Sequence, residues 1–168
     1  MRTLYYFLLL LPIFAMAQIT GKVIGVTDGD TVKVLDENFT EYVVRVADVD
    51  CPEKSQPFWS RAKWFTSNEI FGKSVRIEPK DPTQAKDRYG RIIGYILYNK
   101  KNLSHELLKA GLAWHYKYYS NDSLMAQIEQ EAKDQKIGLW SDPNPINPYL
   151  WRKTKRNEND QQNENKAE

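Results

Sequence analysis

The stretch from Gly21 to Leu35, GKVIGVTDGDTVKVL, restricts the fold more than any other part of the chain. β-Branched runs flank Asp28-Gly29, and an Asp-Gly pair between such runs is a strong short-range hairpin signal. This reading puts Asp30 at the start of the second strand, just past the turn. A further strand-like stretch, TEYVVRVADVD from Thr40 to Asp50, has Val43 and Val44 adjacent. That doubling suits a bulge, or a barrel strand with both faces partly covered, better than an open sheet edge. SVRIE and RIIGYILY, the latter from Arg91 to Tyr98, supply two more strands.

The helices read as shorter insertions. FWSRAKWFTSNEI can wind with Pro57 in its first turn and Ser55 or Gln56 before it, turning Phe58, Ala62 and Phe65 to the core with Glu69 near the edge. Trp59 and Trp64 read as packing groups. Asn102 caps a helix LSHELLKA that Gly111 closes, and Asp122 opens another in which Leu124, Ile128 and Ala132 share a face and Gly138 ends the run. Strands come first, helices are interspersed or trail, and no βαβ unit repeats. That order disfavours a doubly wound sheet and predicts a mainly β fold with α, a compact barrel carrying helices.

The ends differ in character from the middle. Residues 1–17 combine a basic start with an apolar run from Leu4 that ends in small residues, the pattern of a secretory signal cut between Ala17 and Gln18. The run is shorter than the roughly 20 residues that a spanning helix needs. Residues 18–151 then form one domain, and 152–168, almost wholly Lys, Arg, Asn, Gln, Asp and Glu, read as a solvated, disordered tail. Without the leader and that tail, basic and acidic residues balance at 18 each. A neutral body is not built to grip many phosphates at once, so a few placed arginines must do any such work. The basic group Arg152, Lys153, Lys155 and Arg156 reads equally as a polyanion grip and as a solubilising end.

With a single cysteine, Cys51, no internal disulfide can form in an oxidising compartment. Neither His105 nor His115 is near it in sequence, so Cys51 reads as a small buried side chain and His115 as structural.

Two acidic, turn-rich segments stand out, DGDT at Asp28 to Thr31 and DVDCPE at Asp48 to Glu53. Carboxylates at the ends of neighbouring strands suit a hard cation such as Ca²⁺ or Mg²⁺, without which they repel one another. From spacing alone, DGD reads equally as a turn and DVD as a strand cap. Arg45, inside the apolar run VVRVA, and Arg91, directly after Tyr89-Gly90, add permanent positive charge, which is costly in such places unless it meets an anion. A structural salt bridge would satisfy that demand. So would a phosphodiester, whose oxygens match the guanidinium fork.

GKVIGVTDGDTVKVL, RVADVDCPE, DRYGRIIGYI, LLKAGLAW and IGLWSD, in this order, resemble the staphylococcal-type thermonuclease family over roughly Ile19 to Asp142. The resemblance implies an OB-fold, a five-stranded β-barrel packed with three α-helices. It implies a secreted or periplasmic Ca²⁺-dependent nuclease that cleaves DNA and often RNA, leaving 3′-phosphate ends. It assigns Asp30, Asp50 and the backbone carbonyl of Cys51 to the cation. Glu53 would orient or deprotonate water, and Arg45 and Arg91 would hold the phosphate. Tyr89, Tyr118 and Tyr119 become candidates for sugar or base contact, and Trp140 the anchor of the C-terminal segment. The expected partner is the nucleic acid itself, bound by a monomer that needs no protein partner. An OB barrel can also bind strands without cutting them, and an envelope domain could have a structural role alone. Neither would need Asp30, Arg45, Asp50, Glu53 and Arg91 together.

Overall fold

The computed structural model describes residues 18–83 and 86–167, so the expected leader lies outside the described residues. Strands β1 (Ile19–Asp28), β2 (Thr31–Asp36) and β3 (Glu41–Val46) form an antiparallel meander. The short β4 (Val49–Asp50) leads to helix α1 (Trp59–Ile70), followed by β5 (Ser74–Pro79) and β6 (Ile92–Tyr98). β5 pairs antiparallel with both β1 and β6, and β6 pairs parallel with β3. That last pairing closes a five-stranded barrel, the OB-type fold that the resemblance implied. β1 can serve both β2 and β5 because it is long and coiled, with register shifts between Val23 and Gly25 and between Val26 and Asp28.

After the barrel come β7 (Lys101–Asn102), α2 (Leu103–Lys109), β8 (Trp114–His115), α3 (Ser123–Asp134), a 3₁₀ turn (Gly138–Ser141) and α4 (Pro148–Ala167). α4 is a fourth helix where the resemblance implied three. It starts where Asn147 accepts a hydrogen bond from the Tyr149 N–H at 2.9 Å, with Pro148 in the first-turn position that its missing N–H suits. The segment from Arg152, expected as a disordered tail, is helical here. Among the described residues no helix is long and apolar enough to cross a membrane.

Inward-facing Val23, Val32, Val34, Val44, Val46, Val75, Ile77 and Ile96 fill the barrel, continuous with Ala62 and Ile70 of α1, Leu103, Leu107 and Leu108 of α2 and Met125 of α3. The caps on α2 and α3 fall where expected. The Asn102 side chain accepts from the Ser104 N–H, and Asp122 accepts from Leu124 and Met125.

Several local expectations shift. The central residues of the first hairpin are Gly29 and Asp30, with Asp28 paired to Thr31, so Asp30 lies in the turn and not on β2. α1 begins after Pro57, behind a left-handed Phe58, and buries Ala62, Thr66 and Ile70 while Phe58 and Phe65 are only partly covered. Trp59 donates its indole N–H to Asp28 at 2.8 Å, but Trp64 is 69% exposed and packs on nothing in the core. On α3, Met125 and Glu129 are buried in place of Leu124, and the left-handed residue directly behind the helix cap is Lys136, with Gly138, also left-handed, two residues further on. Glu129 can be buried because it accepts the His115 backbone N–H at 3.0 Å and pairs with Lys133 at 2.8 Å and Lys117 at 3.1 Å. Trp140 packs edge to face on Trp114, ring centres 4.5 Å apart, and so anchors the C-terminal segment.

The hairpin turn is pressed against α1. A Cβ at Gly29 would meet Ala62 Cβ and Cys51 Sγ at 2.8 Å each, and Thr66 Oγ1 donates to the Gly29 carbonyl at 2.5 Å. We expect Gly29→Ala to lower stability by about 1–3 kcal/mol in urea denaturation, as overpacked cores do. Gly25→Ala, whose Cβ would meet only the flexible Lys33 side chain, should change it by less than about 0.5 kcal/mol. His115 supplies a pH dependence. Burial holds its imidazole below the ordinary value of 6.5, so the unfolded chain takes up the proton first as pH falls. The stability owed to the neutral ring is complete above 6.5 and lost as pH drops toward the folded-state value. His115→Gln should flatten that part of a denaturation series run from about pH 7.5 to 5.

Candidate active site

The β2–β3 register sets Thr31 opposite Arg45, which brings the turn residue Asp30 beside the Arg45 side chain. The Val46 N–H donates to the Asp30 carbonyl at 2.8 Å and locks that neighbourhood. Past β3 the chain turns through a left-handed Asp48, and β4, paired to β8, carries Asp50 back to the same place. Arg45 Nη1 then lies 2.5 Å from Asp30 Oδ2, and Nη2 donates to Asp50 Oδ1 at 2.7 Å. Asp30 and Asp50, predicted from different strands, thus share one guanidinium.

This is a buried cluster, Asp30 being 6% and Asp50 1% exposed. Burial is the main influence holding the Asp30 carboxyl above its ordinary pKa, with Asp50 and Glu53 adding to it against Arg45 and the Cys51 N–H, which donates to Asp30 Oδ2 at 2.6 Å. Arg45 is held charged: burial opposes its charge, and the two aspartates more than offset that. Arg45 Nη1 is ion-paired to Asp30, although the N–H is not aligned on that oxygen as a hydrogen bond.

Glu53 follows on the loop after β4. Its backbone N–H donates to Gln56 Oε1 at 2.9 Å, and its carboxylate bonds Arg152 of α4. Arg152 also grips Asp50 with both prongs, Nη1 to Oδ1 at 3.1 Å and Nη2 to Oδ2 at 3.0 Å. These carboxylates outweigh the burial that works against the Arg152 charge. The compositional reading grouped this residue with Lys153, Lys155 and Arg156 as a polyanion grip or a solubilising end and did not bring it to the site, although Asn147-Pro148 was a legible helix start and Trp151 an apolar side chain within the first turns.

The Arg91 guanidinium is not joined to this cluster by any ion pair among the described residues. Its Nε donates to Asp87 Oδ2 at 2.9 Å, and Asp87 Oδ1 accepts the N–H groups of Tyr89 and Arg91, folding DRYGR into a turn around a left-handed Gly90. Burial pulls the Asp87 carboxyl upward, but these bonds prevail and hold it below the ordinary range. The barrel register pairs Arg45 with Ile93. Arg91, two residues earlier, therefore stands on the same face as Arg45 on the neighbouring strand.

The aromatic candidates are exposed, Tyr89 67%, Tyr118 81% and Tyr119 65%. Arg91 lies 5.2 Å from the Tyr89 ring centre, and Tyr118 and Tyr119 touch edge to face at 5.0 Å. Lys80 pairs with Asp48 and donates to the Tyr119 carbonyl at 2.6 Å, tying that pair to the turn before β4. Tyr116, which was not singled out, contacts Tyr119 at 5.2 Å, and its hydroxyl pKa is raised by burial and then by the field of Asp50. Cys51 is buried and its thiol pushed well up by that burial, so the side chain is no nucleophile.

Among the described residues no group of three His, Cys, Asp or Glu side chains makes a metal cage by itself. Asp30 and Asp50 still fit a hard cation that completes its shell with water and backbone oxygen, and two mutually repelling acids would welcome its charge.

The sequence profile of the family described as staphylococcal nuclease homologue matches residues 43–142, a span holding Arg45, Asp50, Glu53 and Arg91. An uncharacterized endonuclease of Haemophilus influenzae is 40% identical over 80% of this chain and 73% of its own. A micrococcal nuclease of Shigella flexneri is 36% identical over 89% of each chain. An uncharacterized endonuclease of Escherichia coli is 35% identical over 83% of this chain and 88% of its own. A profile match over more than half of the chain, with relatives 35–40% identical over most of its length, places this chain in the staphylococcal nuclease homologue family.

Proposed function

We propose that the protein is an exported, monomeric, calcium-dependent nuclease that hydrolyses phosphodiester bonds in DNA, and RNA as a second substrate, leaving 3′-phosphate ends. The observation that carries this reading is the Arg45 guanidinium, which draws the buried Asp30 and Asp50 carboxylates together at one end of the barrel. The family membership and the names of the relatives support the reaction class. Export rests on the leader-like residues 1–17.

In this reading Asp30, Asp50 and the Cys51 carbonyl hold Ca²⁺, which would supply Lewis-acid neutralisation of a phosphoryl oxygen and a template for water. Glu53 takes the proton of the attacking water. Arg45 exchanges one of its carboxylate contacts for a phosphoryl oxygen, and Arg91 exchanges Asp87 for another. Together they oppose the charge that grows as phosphorus becomes five-coordinate. The water oxygen bonds to phosphorus as the P–O5′ bond breaks, a solvent water protonates the departing 5′-oxygen while Glu53 returns its proton to solvent, and the phosphate stays on the 3′ side. Tyr89, Tyr118 and Tyr119 offer exposed rings for sugar and base contact, a mode that tolerates any sequence.

The protein from Gln18 onward should digest single- and double-stranded DNA with Ca²⁺ and stop with EGTA, and Glu53→Gln should be strongly impaired. Digestion unaffected by both changes would remove the cation and Glu53 from the mechanism. Arg91→Ala should lower kcat/KM on DNA by about 10²–10³-fold, the usual loss of one transition-state donor. Its urea midpoint should move little, because the partners of the Arg91 side chain are Asp87 and the exposed Tyr89 ring. Near-normal turnover would take Arg91 out of the mechanism.

A further inference from the structure

We propose, resting on the hydrolytic reading above, that Arg152 of α4 is a positioning residue of the active site, fixing the Glu53 carboxylate against Asp50. Arg152 lies past residue 142, where the family match ends. It meets Asp50 and Glu53 across about a hundred residues of chain, as a two-pronged fork on Asp50 with one prong shared by Glu53.

Glu53 needs such a partner. It sits on a loop between β4 and α1 that has no strand or helix of its own, with a side chain 37% exposed. Among the described residues Arg152 is the side chain that bonds its carboxylate. A base on an unsupported loop samples many positions, and a displacement of about 1 Å can cost a large part of the rate.

The segment that delivers Arg152 is tied to the same loop a second time. The Gln56 side chain accepts from the Glu53 N–H at 2.9 Å and donates to the Ile146 carbonyl at 2.6 Å. Backbone and carboxylate of Glu53 are thereby each held by the C-terminal segment, one through Gln56 and the other through Arg152.

A purely stabilising role is a poor account of these contacts. α4 buries Pro148 and part of Trp151 but leaves Tyr149 53% and Leu150 54% exposed, so apolar burial docks this turn only in part. Docking through an ion pair must order a long flexible side chain and desolvate its charge, a weak way to stabilise a fold. The guanidinium ends instead on the two acidic groups to which the mechanism assigns cation binding and proton transfer.

The test is steady-state cleavage of a labelled DNA duplex by the full chain and its variants, with thermal melts to establish that each is folded. Arg152→Ala should lower kcat by ~10–100-fold with KM changed less than ~3-fold, the split expected when a base is misplaced and binding is kept. Arg152→Lys, which keeps the charge without the fork, should recover part of the loss, and it remains informative if the alanine variant does not fold. Because Arg152 acts through Glu53, Arg152→Ala placed on Glu53→Gln should slow the enzyme no further. Wild-type kcat in both Arg152 variants, or losses that multiply in the double variant, would overturn the assignment. A loss confined to KM and shared by Lys153→Ala and Arg156→Ala would overturn it too, making the segment a polyanion grip. Failure of the wild type to cleave would sink the nuclease reading, and Glu53→Gln at wild-type speed would sink the role of Glu53. Neither result resembles an intact enzyme indifferent to Arg152 alone.

Discussion

One guanidinium between two buried carboxylates is the interaction on which the site depends. Arg45 stands on a barrel strand where an unpaired charge would be costly, and Asp30 and Asp50 satisfy it from a turn and a short strand. Removing one member of such a group typically costs about 3–5 kcal/mol, because the charge left behind is buried and uncompensated. The pressure is mutual. Burial and the neighbouring acids hold the Asp30 carboxyl above its ordinary pKa, so the cluster accepts positive charge readily, while Arg45 retains a donor without an aligned acceptor.

Around this centre the supporting contacts are arranged by strand ends and turns. Asp48 turns the chain from β3 to β4, accepts the Tyr95 hydroxyl at 2.5 Å and pairs with Lys80, which in turn holds the Tyr119 carbonyl. The same residues that aim Asp50 therefore also place the exposed tyrosines. Below them, buried Glu129 bonds the backbone of β8 and so steadies the strand on which β4 rests.

Much of this was legible in the chain itself. The hairpin around DGDT, the caps Asn102 and Asp122, and the cost of an arginine inside VVRVA all follow from local chemistry, and they suffice to nominate Asp30, Asp50 and Arg45. The turn was misplaced by one residue because Asp-Gly and Gly-Asp both suit a tight turn, and packing against Ala62 and Cys51 decides between them. The faces of α1 and α3 were rotated because tertiary contacts, not periodicity, choose which neighbour is buried: Thr66 finds the Gly29 carbonyl, and Glu129 finds a backbone N–H and two lysines. Arg152 was hidden by composition. A polar run reads as solvated unless some distant group needs it, and no local pattern reveals Asp50 a hundred residues away.

The parallel pairing of β3 with β6 has a consequence for when the molecule becomes dangerous. It joins strands that are distant in sequence, and it sets the start of β6, which Arg91 immediately precedes, against the strand that carries Arg45. An intermediate still open at this seam holds Asp30, Arg45 and Asp50 on the meander and β4 but does not yet have the Arg91 segment set against β3. With Arg91 acting as proposed, full cleaving power arrives only with completion of the cylinder.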